Sequence, residues 1–493
     1  MKKDQRYERA GSHHLSALPG HGGRDRRERE VLLVLPPPQE GYSALKMIYP
    51  PLSLLSIGSY LKRALPGTNL RILDGQVMAM VDMEREIEKS SPDVVGVGVS
   101  LLNYGNALRI GEIAKGKGAK IVFGGHYATS IPERILRNRP FVDSVVSGDG
   151  EAAFTDIVQG KKNQVISNLT YRGGDGKIHS NKRVNLDLRF LPPPDYQLLD
   201  DLDAYVNTSL KFKRVFITYA QKGCLWRERS GGCLFCARQD AGYRRKSPEA
   251  FWEDIRIISK SGKPDLLYEV SDSFATDREH LSRIAEAQPS HETPPMRILS
   301  KTTDITEQTA LLLKKLRVYE VFVGIESGDP KILKRINKGT TLKSNRTAAR
   351  ILKNHGILFF PSIILGNPGE TEESMRRTLD HVEELCRLGD VQRVYGNIMV
   401  PYPGSIIFDL FMSSPEIRKK YDGLDLFDLK EMQVDWVNRF CNVTYEDMLD
   451  QLKKADMAQV FTTPNFDRRD LERALKAAPA GTPEKAAGIS GRR

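Results

Sequence analysis

Short apolar runs alternate with amphipathic stretches along most of this chain. Val31–Leu35 is a continuous apolar run stopped by Pro36, Pro37 and Pro38, the pattern of a buried strand with a hard end. Leu52, Leu55, Ile57, Tyr60 and Leu61 then recur at helical spacing. Leu70–Gly75 predicts a strand and turn, Met83–Ser90 a charged helix, and Asp93–Leu102 a second apolar strand. Leu108–Lys115 predicts a helix, Lys120–Phe123 a strand closed by Gly124 and Gly125, and Val145–Gly148 a further strand and turn. Strands separated by helices in this way predict a parallel, doubly wound sheet.

The rhythm fails over residues 160–207, where Arg172–Gly176 and Leu191–Pro194 are turn-forming, and a connector is placed there. It resumes at Val215–Tyr219. Further strands are expected at Leu266–Val270, Arg297–Leu299, Val318–Ile325, Leu358–Leu365 and Arg393–Val400, with helices such as Gln308–Leu316 and Asn345–Asn354 between them. This second α/β unit predicts a full or partial barrel. Beyond about residue 405 the pattern is helical and less regular. The resulting organisation is a disordered basic tail (1–28), a first α/β domain (29–160), a linker (161–211), a barrel domain (212–405), a helical region (406–477) and a disordered tail (478–493).

Composition narrows the class. At 493 residues the chain is long enough for about three domains and a large core. It has no run of 18 apolar residues, so no membrane span is predicted, and no apolar segment follows its first residues, so no secretory leader is expected. Five cysteines, an odd number, argue against a disulfide scaffold and for a reducing cytoplasm. The net charge is +11, but residues 1–30 and 465–493 carry +3 each, so the folded part is nearly balanced and a nucleic-acid partner is not expected.

Chemistry concentrates at Cys224, Cys233 and Cys236, spaced C-x8-C-x2-C directly after the first strand of the second unit. Three thiolates are one short of a closed structural zinc site, and no histidine is near in sequence. They suit a 4Fe–4S cluster with one iron left open. A zinc site with a distant fourth ligand and a redox Cys-x-x-Cys pair are the alternatives. Two Gly-rich strand ends follow, Val323–Gly328 and Ile364–Thr371, each suited to a small molecule held by backbone groups and a carboxylate. Cys386 and Cys441 are isolated and are given no role.

In this order, the cysteine triplet with its Cys-x-Phe-Cys end, the Gly-Ile-Glu-Ser-Gly block and the Gly-x-Pro-Gly-Glu-Thr block make residues 212–405 resemble a radical S-adenosylmethionine (SAM) core. The resemblance implies a partial α/β barrel whose cluster is held by Cys224, Cys233 and Cys236. It implies that SAM binds the fourth iron and is cleaved reductively to methionine and a 5′-deoxyadenosyl radical. It further implies Phe235 near the adenine, Ser271 and Asp272 at the methionine amino group, Glu326 and Ser327 at ribose or methionine, and Gly366 by the adenine. The common family spacing is C-x3-C-x2-C. The widened gap here, Trp226 to Arg229 included, is similar to that of the elongator catalytic subunit, and is either a wall of the substrate pocket or a solvated loop.

Residues 29–160 resemble the cobalamin-binding domain that precedes many radical SAM cores. The matches are Tyr49–Leu52, Gly98–Ser100, Gly124–Thr129 and Ser147–Glu151. The resemblance implies Ser100, Gly124, Gly125, Gly148 and Glu151 around the cofactor. An Asp-x-His-x-x-Gly motif is absent, which implies cobalt without a protein histidine; His126 is the alternative ligand.

The family reading is an enzyme that alkylates, most often methylates, an unactivated carbon of a small-molecule or carrier-bound substrate, with a one-electron reductant such as flavodoxin or ferredoxin. Cyclisation or rearrangement with the same cofactors is the nearest alternative. A tRNA methylthiotransferase is disfavoured because no cysteine precedes Cys224, and a non-catalytic cobalamin or redox sensor is a further alternative. If methyl transfer is direct, Ser100, Gly124 and Gly125 must face the three cysteines across one cavity, with Trp226 and Val400–Gly404 as candidate walls.

Overall fold

A computed structural model describes residues 29–39, 47–208, 210–238, 242–289, 293–454 and 458–459; the expected tails 1–28 and 478–493 lie outside them. The first sheet contains β1 (Glu30–Leu35), β2 (Asn69–Asp74), β3 (Val94–Gly98), β4 (Lys120–Gly124), β5 (Ser144–Val146), β6 (Leu169–Arg172) and β7 (Ile178–Ser180). Its order is β2-β1-β3-β4-β5-β6-β7. The first five strands are parallel, and β6 and β7 are antiparallel additions. The strand order reverses between β1 and β3. Connections leave to opposite faces at such a point, which opens a crevice at the carboxyl ends of the strands.

Two differences from the sequence reading have local causes. The strand expected over Asp93–Leu102 stops at Gly98, because Asn103 turns the chain: its Oδ1 accepts from Ser100 N at 2.7 Å and its Nδ2 donates to Gly98 O at 3.1 Å. The expected linker supplies β6 and β7, joined across the Gly173–Gly176 turn, where Gly173 N bonds Lys177 O at 2.8 Å. Only its later part is irregular. That stretch packs on the helix Leu52–Ala64, where Asp195 N donates to Ser59 Oγ at 2.8 Å.

The second sheet contains β8 (Val215–Thr218), β11 (Leu266–Glu269), β12 (Met296–Ser300), β13 (Val318–Glu326), β14 (Leu358–Leu365), β15 (Tyr395–Ile398) and β16 (Ala458–Gln459). All are parallel and adjacent in chain order, as in a partial barrel. A separate antiparallel ribbon pairs β9 (Gln221–Lys222) with β10 (Arg244–Arg245). The intervening helices begin at side-chain caps: Ser247 before Pro248, and capping boxes at Thr306, Thr341 and Thr371.

Helices Ile406–Ser413, Pro415–Tyr421, Leu429–Phe440 and Tyr445–Lys454 form the C-terminal region. It is fastened to the first domain through Asp425, whose carboxylate accepts from Tyr104 Oη at 2.5 Å, Arg139 Nε at 2.7 Å and Asn138 Nδ2 at 3.1 Å. No helix among the described residues is long and apolar enough to cross a membrane.

Candidate active site

The ribbon of β9 and β10 brings together the two ends of the loop that carries the cysteines. Gly223 starts the loop at φ +88°, where a Cβ would lie 2.2 Å from Gly242 O. Cys224 then precedes the short helix Leu225–Ser230, and Cys236 N closes a turn on Cys233 O at 3.1 Å. That turn is held by Leu234, whose N donates to Ile336 O and whose O accepts from Ile407 N, both at 3.0 Å.

All three thiols are free and half-buried. Burial pushes the Cys233 thiol up to about 11, opposed by the Lys338 ammonium. Lys338 also feels Cys236, while Lys301 feels Cys233 and Cys224, so two lysines serve all three sulfurs. The thiols are not drawn into a closed cage: among the described residues no three His, Cys, Asp or Glu side chains are gathered as a metal site. Three thiols beside two ammonium groups nonetheless fit a cluster with one open iron. Cations offset thiolate charge there, and a closed zinc site would want a fourth ligand.

Glu326 ends β13 in the left-handed region, φ +63°. Its Oε1 lies 2.6 Å from Lys338 Nζ, and that ammonium stands 5.7 Å from the Phe235 ring centre. A Cβ on Gly324 would lie 2.0 Å from Glu326 Oε1, so only glycine leaves room for the pair. Phe235 and Glu326 are therefore brought together beside the cysteines. Lys338 and Lys301 were missed in the sequence, where nothing in their spacing marks them.

Three other residues sit in structural contacts. Ser271 is buried; its hydroxyl donates to Glu269 and accepts from Ala220 N at 3.2 Å and Gln221 N at 3.1 Å. It thereby staples β11 to the start of the cysteine loop. Glu269 itself is raised to about 7 by burial, against the hydrogen bonds from Ser271 and Ala220. Ser327 is buried against Thr378, 3.2 Å between hydroxyls, and Gly366 O accepts from Trp436 Nε1 at 2.7 Å. Asp272, by contrast, reaches open space and lies 3.1 Å from Arg238 Nε.

That space is a cavity of about 520 Å³ between the two sheets, within the range of cofactor and ligand sites. Ser100, Gly124, Gly125, Gly148 and Glu151 line it from the first sheet, and Gly223, Arg238 and Asp272 from the second. The strand ends of the two units thus open onto one cavity, with the residue before Cys224 on its wall. Cys224, Cys233 and Cys236, expected to face the first sheet across it, are not among its lining residues, and neither are the candidate walls Trp226 and Val400–Gly404. Trp226 is instead docked elsewhere, its Nε1 donating to Asn337 O at 2.8 Å.

The first-sheet side is shaped for a bulky guest. A Cβ at Gly124 would meet only Val146 O, at 3.8 Å, and one at Gly148 would meet nothing within 4 Å. Glu151 is buried, accepts from Ser56 Oγ at 2.7 Å through one oxygen, and has no partner at the other. These features fit a large ligand with amide or hydroxyl donors, as cobalamin is. His126 Nε2 lies 3.3 Å from Arg238 Nη1, across the junction.

Asp149, within the Ser147–Glu151 block, joins the two walls. It lies 3.0 Å from Lys222 Nζ and 2.5 Å from Arg244 Nη1. Burial would raise its carboxyl, but Lys222 and Arg244 outweigh it and hold the group at about 2. Lys222 is lowered by burial and raised more by Glu151, Tyr219 and Asp149, for a net rise.

Comparison with known proteins agrees with this layout. Residues 43–158 match the family model of the B12 binding domain, and residues 220–382 that of the radical SAM superfamily. An uncharacterized methyltransferase of Pyrococcus horikoshii is 26% identical over 449 residues, which span 84% of this chain and 91% of that protein. The anaerobic magnesium-protoporphyrin IX monomethyl ester cyclase of Rubrivivax gelatinosus is 24% identical over 482 residues, 91% of this chain and 82% of that one. The solved radical SAM methyltransferase TsrM of Kitasatospora setae, with cobalamin and a [4Fe-4S] cluster bound, shares the fold. Its TM-score is 0.64 at 18% identity, with 78% of each chain covered.

Proposed function

Because this chain belongs to the radical SAM superfamily and carries a B12 binding domain ahead of that core, we propose that it is a cobalamin-dependent methyltransferase acting on an unactivated carbon. The observation that carries the reading is the cavity shared by the carboxyl ends of both sheets. With a cluster and SAM held beside this cavity and cobalamin within it, the three groups would supply a carbon-centred radical and a methyl donor; that chemistry belongs to the cofactors.

The chain's own part is to hold, orient and shield. Cys224, Cys233 and Cys236 would hold the cluster, with Lys301 and Lys338 offsetting its charge. Phe235 and Glu326 stand beside them, where the adenosine part of SAM would lie. Asp272, paired with Arg238, borders the cavity on the SAM side. Gly124 and Gly148 would admit the corrin, and Glu151 would accept from one of its donors. Ser271, Ser327 and Gly366 support the site through their neighbours. His126 lines the cavity beside Arg238, but with no Asp-x-His-x-x-Gly motif in the chain, cobalt would carry no protein histidine. The substrate would be a small molecule or a carrier-bound group, the electron would come from a reductant of the flavodoxin or ferredoxin kind, and the setting would be cytoplasmic.

The test is anaerobic reconstitution of the full chain with iron, sulfide and cobalamin, since cluster and corrin absorb differently in one sample. Added SAM and reductant should release 5′-deoxyadenosine. Cys224→Ala, Cys233→Ala and Cys236→Ala should each lose most of the iron, with Cys386→Ala at the wild-type level. Wild-type iron in all three variants, or no corrin bound, would overturn the reading. The similarity to the Rubrivivax cyclase keeps a second reading in view, cyclisation with the same cofactors; a product without an added methyl group would select it.

A further inference from the structure

The eight residues between Cys224 and Cys233 do not line the cavity between the sheets, and they are not an irregular loop. They form the helix Leu225–Ser230, closed by Gly231 and Gly232, both at φ +83°. The helix is docked at both ends on the turn after the helix Pro330–Arg335. At one end Trp226 Nε1 donates to Asn337 O at 2.8 Å, its ring lies 3.8 Å under the Lys301 ammonium, and it fills the place where a Cβ on Gly339 would come within 2.3 Å. At the other end Asn337 Nδ2 donates to Ser230 O at 3.1 Å and Gly232 O at 2.7 Å.

So anchored, the helix turns its two arginines in different directions. Arg229 is exposed, whereas Arg227 is half-buried and points back at the cysteines. Arg227 Nη2 lies 3.0 Å from Cys236 Sγ and 3.4 Å from Cys236 O, and its Nη1 donates to Arg238 O. Gly232 leaves room for its stem: a Cβ there would make a tight 3.2 Å contact with Arg227 Cβ. A planar guanidinium can serve a sulfur and two carbonyls together, which a lysine ammonium cannot do in the same geometry.

We propose that the widened cysteine gap sets the reduction potential of the cluster, through a charge-assisted hydrogen bond from Arg227 to the sulfur of Cys236. The proposal rests on the assignment of the three cysteines as cluster ligands. Reduction adds one negative charge to the cluster, and a fixed cation with an N–H aimed at a ligand sulfur stabilises that charge. The potential is thereby raised, as hydrogen bonds to cluster sulfurs and net charge set it generally. Arg227 touches a ligand and not the substrate, so it is a tuning and positioning residue. Its hold on Arg238 O extends to the cavity, because Arg238 is the partner of Asp272.

The experiment is an EPR-monitored redox titration of the full chain, reconstituted without SAM or cobalamin, with iron counted in each sample. Arg227→Met should keep its iron and shift the midpoint to more negative potential. Arg227→Lys should recover part of the shift, and Arg229→Met, which removes an equal charge without the contact, should titrate like wild type. Arg227→Gln keeps an N–H donor without the charge and carries the test if Arg227→Met loses iron; its midpoint must also lie below wild type. A wild-type midpoint in whichever of these two variants holds iron overturns the proposal, and so does a shift in Arg229→Met as large as that in Arg227→Met. A wild-type chain that takes up no cluster would instead overturn the cluster assignment.

Discussion

Asp149→Asn removes one charge from the junction of the two domains and leaves the side chain's shape. The Asp149 side chain is 5% exposed and lies 3.0 Å from Lys222 and 2.5 Å from Arg244. Both cations come from the ribbon that closes the cysteine loop. The carboxyl titrates at about 2 in the fold, against 3.8 ordinarily. At 1.36 kcal/mol per pKa unit, that difference makes the charge worth about 2 kcal/mol to the folded state. Breaking a fully buried pair costs more, about 3–5 kcal/mol. The lower figure applies here, because Lys222 and Arg244 keep 26% and 15% of their side-chain surface and Lys222 retains Glu151 at 3.9 Å. The sign follows from the lowered pKa. The contribution is complete above about pH 4 and is lost as the pH falls through about 2, so it is constant between pH 6 and 8.

The assay is hydrogen exchange read by mass spectrometry at pH 7 on the full chain without cofactors. If the pair ties the domains, opening of Ser147–Glu151 and of β9 and β10 becomes easier by about 2 kcal/mol, and exchange there speeds up about thirtyfold. Core strands far from the junction, such as β2 and β14, should be unchanged. Unaltered protection at the junction would refute the clamp, and loss of protection throughout would mean that Asp149 serves general folding.

Gly124→Val should weaken corrin binding at least tenfold, about 1.4 kcal/mol, by filling space that opens into the cavity. Absorbance titration measures this, and unchanged affinity with normal iron content would place the corrin elsewhere. Asp425→Ala should leave Tyr104, Asn138 and Arg139 without their shared acceptor, at a cost of about 1–3 kcal/mol, since Arg139 keeps 28% of its side-chain surface. Limited proteolysis should then cut the segment between residues 421 and 429 faster than in wild type, and equal rates would refute a fastening role.

What the sequence reveals and what it hides divide along a physical line. β1, β4 and β14 are legible because a buried parallel strand needs a largely apolar run, and that pattern is local. The cysteine triplet is legible because its spacing is the constraint itself. Ser271 and Ser327 show the limit of that reasoning. A serine after a strand looks the same whether it awaits a ligand or serves its neighbours, and the sequence does not show that these two bond Glu269 and Thr378. β6, β7 and the ribbon of β9 and β10 are too short for periodicity to mark.

The contacts that join the domains lie further from view, because each partner alone is an ordinary polar residue. Asp425 meets Tyr104 across 321 positions, and Lys222 meets Asp149 across 73. Charge alone could not have paired them, since the chain has 74 lysines and arginines to choose from. Yet these pairs bear on whether the strand ends of the two sheets open onto one cavity. Two separate domains would each satisfy the local pattern equally well, with their strand ends facing water. Asp149 with Lys222 and Arg244 on one side, and Asp425 with Tyr104 and Arg139 on the other, hold the first sheet over the barrel mouth. In the proposed reaction, that arrangement would keep the radical and the methyl donor shielded from solvent between the two units.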